Sequence, residues 1–598
     1  MSNPVKGKRQ IKSKSEFQKQ LKQLRKETPR HVLEIELSTT EQQRRQLLAI
    51  SEELRQIRNT TVNYIMKNYK QMTRLKSYKQ LRIKYKTTSD LLEKSNIKLV
   101  KLNQQSADET DKVILKAIRQ QVKDLKTRMK GLEASKKEIS QQLESLRLNF
   151  ELEKSFIVDY AADLNRRTFK KPDSVTVLAL AERLWTATER LLYGETRRLS
   201  FYRRGELVTL QGKQAHKSVM LKLDEKTQTF YIEHQKMRFD LIVKKNDLFV
   251  QEALANILAY RLDSDSFDQE NVSHYLTDKK YMSTYRTCHN RIVLRQIRGK
   301  LRVYVQITLE GNPVPKRKPD GSFRHASGTG RIGIDIGTST VAYVSKGKAV
   351  LKNLAERSVK KTFKQERELI RLQRKLDRSR RAMNPENFNP DGTVKRGVKL
   401  NWTLSNRYRQ TQQQLKELHR IKATNRRLAI NEEINQIRAL GHEVVIEPMN
   451  FNGLQKRSKQ LTKNDKGKFN KRKRFGKSLL HRNPGYFVAQ LEKVFKQTHG
   501  KVLKVPIFDY RASQYDHLSG AFEKKKLSKR WHIFKTGEKV QRDLYSAFLL
   551  YCANETAQQI DTALCLKEYD QFKINHDLCI ERMIQNKQKV LNSGIQIA

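Results

Sequence analysis

Cysteine is nearly absent: four (Cys288, Cys552, Cys565 and Cys579) in 598 residues. That excludes a disulfide scaffold, and with no CxxC pair among them a cysteine-based zinc site is not expected. No run approaches the ~18 consecutive apolar residues of a membrane span, and hydrophobic residues make up only 37%. The opening MSNPVKGKRQIKSKSEF is basic but has no apolar h-region, so a secretory signal is not expected. No Walker loop, Ser-His-Asp set or HNH-type cluster stands out. The scarcity that matters most is of acids: 63 Asp+Glu face 123 Lys+Arg, a formal net charge of +60. The expectation is a soluble, cytoplasmic chain of about three to five domains.

A charge of that size would repel itself without a polyanion. Duplex nucleic acid carries one phosphate per about 1.7 Å of axis, so +60 could offset on the order of thirty base pairs. Solubility needs only a modest net charge. The scale favours a long polyanion, such as a structured RNA, over a short operator site.

Residues 1–30 are basic and almost without apolar periodicity. Residues 31–37 (HVLEIEL) alternate as a strand does, and the following STTE caps a helix. The chain is then mostly helical and charged to about residue 193. Within it Leu115, Ile118, Val122, Leu125, Met129, Leu132, Ile139, Leu143 and Leu146 follow 3–4 spacing, interrupted once by Lys136. That seam is too narrow for a globular core face and predicts one long helix over 109–148, packed within the chain. Residues 200–310 change to short β-branched and aromatic runs (LSFYRR, ELVTLQG, SVMLKLD, TFYIEHQ, FDLIVKK, LRVYVQITL). They read as a β-barrel or sandwich, with a helical piece near 249–261. Residues 311–329 are a linker rich in Pro, Gly and charge, and an α/β pattern follows.

Three carboxylates in that last region could do chemistry. RIGIDIGTST places Asp335 in the middle of an apolar strand, between glycines 333 and 337 that permit close approach of a backbone or ligand. A carboxylate there is costly unless it is paired or binds a cation. EVVIEPMN places Glu447 after three buried-type residues, and KVQRDLYSAFL places Asp543 at a helix start, where the dipole favours it. Hard oxygen ligands of this kind suit Mg²⁺ or Mn²⁺, and such ions can drive phosphodiester hydrolysis.

GIDIGTST, VVIEPMNFNGL and QRDLYSAF resemble the three RuvC-like motifs of the TnpB family, transposon-encoded RNA-guided DNA nucleases from which the type V CRISPR effectors derive. The likeness covers most of 31–548. It implies a multi-domain α+β protein in which an RNase H-like (RuvC) α/β nuclease domain joins a β-barrel wedge domain and a helical recognition lobe. Asp335, Glu447 and Asp543 would be the Mg²⁺ (or Mn²⁺) triad. The implied partners are a guide RNA and target double-stranded DNA, with no membrane, in a monomer of the bacterial cytoplasm that joins the nucleoid when on DNA. The implied division is a basic arm (1–30), the wedge (31–40 and 200–310), the recognition lobe (41–199) and a linker (311–330). The nuclease domain follows (331–510 and 537–560), with a degenerate zinc-ribbon-like region (511–536) and a helical tail (561–598). The size leans toward a CRISPR effector or an intermediate form.

One departure matters. Where the family carries four zinc-binding cysteines, this chain has Asp516, Ser519, Ile533 and Thr536. Zinc is therefore not expected, and packing by Trp531, Ile533 and Phe534 is expected to hold the loop.

Two basic segments complete the reading. Residues 360–381 put Lys364, Arg367, Arg371, Arg374, Lys375, Arg378 and Arg381 on a helix with a narrow leucine stripe. Residues 456–482 include Lys456, Arg457, Lys471, Arg472, Lys473, Arg474 and Arg482, interleaved with Phe451, Phe469, Phe475 and Tyr486. Both are expected to track phosphates. The function expected is RNA-guided cleavage of DNA complementary to the guide, beside a short flanking motif. The alternative is RNA-guided DNA binding without cleavage, as a repressor or targeting factor. A structural RNA-binding protein would explain the charge but not three spaced carboxylate motifs.

Overall fold

The computed structural model describes residues 28–108, 111–265, 285–458, 460–462, 467, 469–470, 475–526 and 528–597. The arm expected over 1–30 falls almost wholly outside the described residues, as do Lys471, Arg472, Lys473 and Arg474. The architecture is mixed α+β, with sheets of seven, five and two strands. No helix among the described residues is long and apolar enough to cross a membrane.

The chain enters through β1 (Arg30–Leu37), whose Leu33, Ile35 and Leu37 point inward on every second residue. Thr40 then caps α1 (Glu41–Arg74) through a reciprocal capping box with Gln43. Next come α2 (Lys76–Asp108) and α3 (Lys112–Asn149), which lie against each other within the chain. The seam residues of α3 are its least exposed positions, with Ile118 and Leu143 buried. Lys136, the one break in that seam, sits with its ammonium 5.2 Å from the Tyr85 ring centre on α2. A cation on an aromatic face takes the place of an apolar contact there. Two further helices, α4 (Lys154–Leu164) and α5 (Ser174–Leu192), close this region around Val62, Ile65, Leu152, Ile157 and Leu191.

The strands β2 (Thr209–Gln211), β3 (Val219–Asp224), β4 (Thr229–His234) and β5 (Met237–Ile242) precede α6 (Leu248–Asp265). The hairpin β6 (Arg286–Ile297) and β7 (Lys300–Glu310) completes a sheet ordered β2-β6-β7-β1-β5-β4-β3. This corrects the expected barrel: the sheet curls but stays open. β6, next to the β2 end, reaches the β3 end through Asn290, whose side-chain amide donates to the Val219 carbonyl (3.1 Å) while its backbone carbonyl accepts from Gly212 after β2 (3.0 Å). A single amide tie replaces the backbone ladder that closure needs. One expected strand is absent and an unexpected one is present. LSFYRR forms no strand, whereas β6, with Arg, His and Asn breaking its alternation, is a twelve-residue one.

The second sheet begins with the meander β8 (Arg331–Ile336), β9 (Thr340–Ser345) and β10 (Lys348–Asn353). It continues through α7 (Glu356–Met383) and α8 (Asn406–Arg438), a long helical pair, to β11 (Glu443–Ile446). After α9 (Phe451–Leu454), α10 (Gly476–Arg482) and α11 (Pro484–Gln497) comes β12 (Lys501–Lys504). The order is β10-β9-β8-β11-β12, with β8, β11 and β12 parallel. Ile332, Ile334 and Ile336 face α8 and α11. The opposite face is covered, after α12 (Ile507–Tyr510) and the small hairpin β13 (Trp531–Ile533) and β14 (Lys539–Gln541), by α13 (Arg542–Tyr551) and α14 (Thr562–Gln585).

Gly333 sets the distance between β8 and α13. A methyl at this residue would overlap the Ala547 carbonyl and the Tyr551 amide, and would lie 2.8 Å from the Leu550 carbonyl carbon. All three are backbone atoms of the helix, which cannot turn aside as a side chain does. Gly333→Ala should therefore cost about 3 kcal/mol or more and lower the melting temperature sharply. Gly347→Ala, where a Cβ meets nothing within 4 Å, should change it little. Thermal unfolding of the two variants checks the contrast, and equal melting temperatures would contradict the close approach.

Candidate functional site

Alternation along β8 and β11 decides which side chains share the α13 face. Ile332, Ile334 and Ile336 go to one side, so Gly333 and Asp335 go to the other. On β11, Val445 packs on the α13 side, and Glu447 follows two residues on. The parallel register pairs Ile446 with Ile334, so Glu447 falls beside Asp335 one step later. Asp543 occupies the first turn of α13. Gln541 caps that helix, its side-chain oxygen accepting from Leu544 N at 2.9 Å, and its own amide donates to His576 Nε2 at 2.8 Å. The three acids come from segments more than a hundred and about a hundred residues apart, yet they lie at one end of one sheet face.

Their electrostatics reflect that nearness. Asp335 is pushed well above the usual carboxylate range by burial first, then by Asp543 and Glu447, with Arg542 opposing. Burial also raises Glu447. The cation beside them is Arg542, whose guanidinium is 3.6 Å from Asp543. Oxygen donors of this kind suit a hard divalent ion. Yet among the described residues no three His, Cys, Asp or Glu side chains are gathered closely enough to hold a metal ion. The acids sense one another without forming a closed cage.

The region expected to lack zinc is organised by hydrogen bonds and aromatic rings. Asp516 Oδ1 accepts from the Leu518 and Ser519 amides, each at 3.0 Å. Its Oδ2 accepts from His532 Nε2 at 3.1 Å, and Lys525 Nζ reaches His532 Nδ1. His532 stacks on Tyr545 of α13 (centroids 4.7 Å, 24°), and the Tyr545 hydroxyl meets His517 Nδ1 at 2.8 Å. Phe534 is buried as expected, but Ile533 is 58% exposed and Trp531 spends its indole N–H on the Gly594 carbonyl. The loop is therefore pinned by Asp516, His532 and Phe534, not by Ile533, and through Tyr545 it is fastened to the helix that carries Asp543.

The basic residues divide. Arg367, Arg374, Lys375 and Arg378 of α7 are exposed, as are Lys456 and Arg457 after α9; Lys364 lies on α7. Arg371 is paired with Glu368 at 2.7 Å. Arg381 bonds Asp377 at 2.8 Å and the Gly392 carbonyl at 2.8 Å, holding the turn between α7 and α8. Arg482 differs from the exposed cations: it is buried, with Glu356 acting on it and its Nε unpartnered. Phe469 and Phe475 are exposed, whereas Phe451 and Tyr486 pack on the core below β8 and β11.

No protein-family signature matches the sequence, and no curated protein matches it either. Among solved structures the chain is similar to a Cas12f1–sgRNA–target DNA complex determined by cryo-EM, at 9% identity. The alignment covers 87% of this chain and 98% of that one, with a TM-score of 0.37, too distant a likeness to fix the fold.

His532 supplies a pH test of the pinned loop. Burial and Lys525 push its pKa from 6.5 down to about 4, against the pull of Asp516. The folded chain therefore holds the imidazole neutral, while the unfolded chain protonates it. Stability contributed by this group is present above pH 6.5 and is withdrawn as pH falls toward 4. The wild-type melting temperature should drop more steeply over that interval than that of His532→Gln. Parallel melting curves of the two proteins would refute the assignment.

Proposed function

We propose that the chain is an RNA-guided DNA endonuclease with a single RuvC-like active site formed by Asp335, Glu447 and Asp543. The observation that carries the reading is the convergence of these acids, from three separate motifs, on the α13 face at the carboxyl ends of the parallel strands β8 and β11. Ligand sites of open α/β sheets lie outside the carboxyl ends of their strands. The antiparallel meander followed by two parallel strands supports an RNase H-like assignment for this part. The +60 charge supports a long polyanion, here a guide RNA together with its DNA target.

Asp335, Glu447 and Asp543 would hold Mg²⁺ or Mn²⁺, which supplies Lewis-acid charge and a more acidic bound water when present. The residues of this chain do the rest. Asp335, raised by burial first and then by its acidic neighbours, would be held as the carboxylate by a bound cation. Gly333 holds Asp543 at the sheet, and the Asp516–His532 pair braces the same helix through Tyr545. Zinc has no place in this reading, so elemental analysis of the purified protein should find none.

The RNA that co-purifies, once sequenced, defines a plasmid target. The wild type should cut that plasmid in Mg²⁺, and Asp335→Ala should bind it undiminished without cutting. Cleavage by Asp335→Ala would overturn the triad. The open spacing of the three acids favours a second reading, RNA-guided binding without cleavage. In that case the wild type binds the matched plasmid and leaves it intact.

The exposed arginines of α7 would contact backbones, because a guide delegates sequence reading to base pairing. Arg374→Ala with Arg378→Ala should reduce the dependence of log affinity on log salt by about two units, with no change in target preference. Filter binding across a salt series measures this, and altered target choice at a fixed guide would mean that the helix reads bases.

A further inference from the structure

The segment LSFYRR, which forms no strand, is nevertheless held firmly. Asn59 on α1 clamps Tyr202 by both backbone groups: its Nδ2 donates to the Tyr202 carbonyl at 2.8 Å, and its Oδ1 accepts from the Tyr202 amide at 2.9 Å. Arg55 donates to the same carbonyl at 3.1 Å, and Arg58 donates to the Ser200 carbonyl at 2.8 Å. The Arg203 amide is taken by Glu206 at 2.7 Å. The backbone is thus fixed while the side chains point away from the core. Phe201 is 56% exposed and Tyr202 37% exposed, and Arg203 and Arg204 are exposed beside them. Phe201 is thus left largely in water on a pinned backbone, next to a tyrosine that is itself partly exposed.

Cations also lie close to this strip. The Arg58 guanidinium lies 3.6 Å from the Tyr202 ring centre. Arg183 of α5 interacts with Tyr202 and is repelled by both Arg58 and Arg291 of β6. No carboxylate is among the groups acting on Arg58 or Arg183, and Arg291 uses its Nε–H on the Gln306 side chain at 2.6 Å. Arg55, by contrast, is matched by Glu52 at 2.6 Å. One guanidinium, Arg58, therefore lies on the Tyr202 ring with no carboxylate acting on it, and the exposed Arg203 and Arg204 follow in the same strip. Guanidinium forks match phosphate oxygens, and an exposed aromatic face is a platform for a base.

We propose that residues 200–206, with Arg58, dock an unpaired nucleotide of RNA, its base stacking on Phe201 and its phosphate facing Arg58, Arg203 and Arg204. The site rests on the reading that the chain carries an RNA. RNA is favoured over duplex DNA because stacking on Phe201 needs a base already free of its neighbours, which loops and single-stranded stretches of RNA offer.

Photo-crosslinking tests this. An oligouridine carrying 4-thiouridine should crosslink to the peptide containing Phe201. Phe201→Leu should reduce that crosslink about 10-fold, and Phe201→Trp should keep it, since stacking is the property preserved. Both variants should melt as the wild type does, because the ring is exposed. A duplex DNA carrying 4-thiothymidine should give no crosslink to this peptide. RNA crosslinks on α7 with none at 200–206, an unchanged yield in Phe201→Leu, or an equal yield from the duplex would each overturn the site while leaving the RNA-guided reading standing. No RNA crosslink anywhere on the chain would overturn both.

Discussion

The approach of α13 to β8 across Gly333 is the constraint on which the candidate site depends. Two backbones meet with no side chain between them, so the helix start carrying Asp543 is brought to the strand carrying Asp335. Any residue with a Cβ at 333 separates the two. The rest of this half of the chain serves that contact. Val344, Val445, Ala547 and Leu550 fill the same layer beside it, and Gln541 fixes where the helix begins. The hairpin carrying His532 presses on Tyr545, one turn further along. A carboxylate–imidazole bond and stacked rings fix the backbone of this loop without any thiolate ligand.

The same closeness imposes an electrostatic cost. Burial first, and then the neighbouring Asp543 and Glu447, raise Asp335 well above its ordinary range, with Arg542 opposing. A fold keeps such repulsion only where its surroundings overdetermine the geometry. Here the surroundings are the buried isoleucines on one face of β8 and a nearly all-buried helix on the other. Strain concentrated at one set of carboxylates, in a chain with cations to spare, is the pattern of a site that awaits a positive partner.

The carboxylate motifs were legible in the sequence because each combines a short apolar strand or helix with one acid where an apolar residue would otherwise stand. The α3 seam was legible by its period, and even its flaw at Lys136 has a local cause in Tyr85. Other features depend on partners far away in sequence. β6 was hidden because Asn290 and Arg291 interrupt its alternation, and both are satisfied across the sheet, by Val219 and by Gln306. The barrel was over-read because strand number says nothing about whether the last ladder forms. Arg482 looked like one more surface cation until α10 folded it inward. LSFYRR looked like a strand because aromatic composition is the same whether a segment pairs with a sheet or is hung from a helix by Asn59.

Several of the few acids of this chain are spent on pairs that join distant segments. Glu310 lies between Arg30 and Arg286, Glu443 meets Arg331 across β8 and β11, Glu433 takes Lys352, and Glu34 and Glu36 take Arg295 and Arg302. Exposed pairs of this sort add little stability, but they set strand register and join segments distant in sequence. With those acids committed, the cations of α7, of the segment after α9 and of the 200–206 strip have few anions within the chain to answer them. Self-repulsion then acts on the folded state until a polyanion is present. Anything that binds the native chain and not the unfolded one stabilises it by mass action. The excess of positive charge thus couples folding to occupancy: a nucleic-acid partner would complete the electrostatics of the structure as well as direct its chemistry.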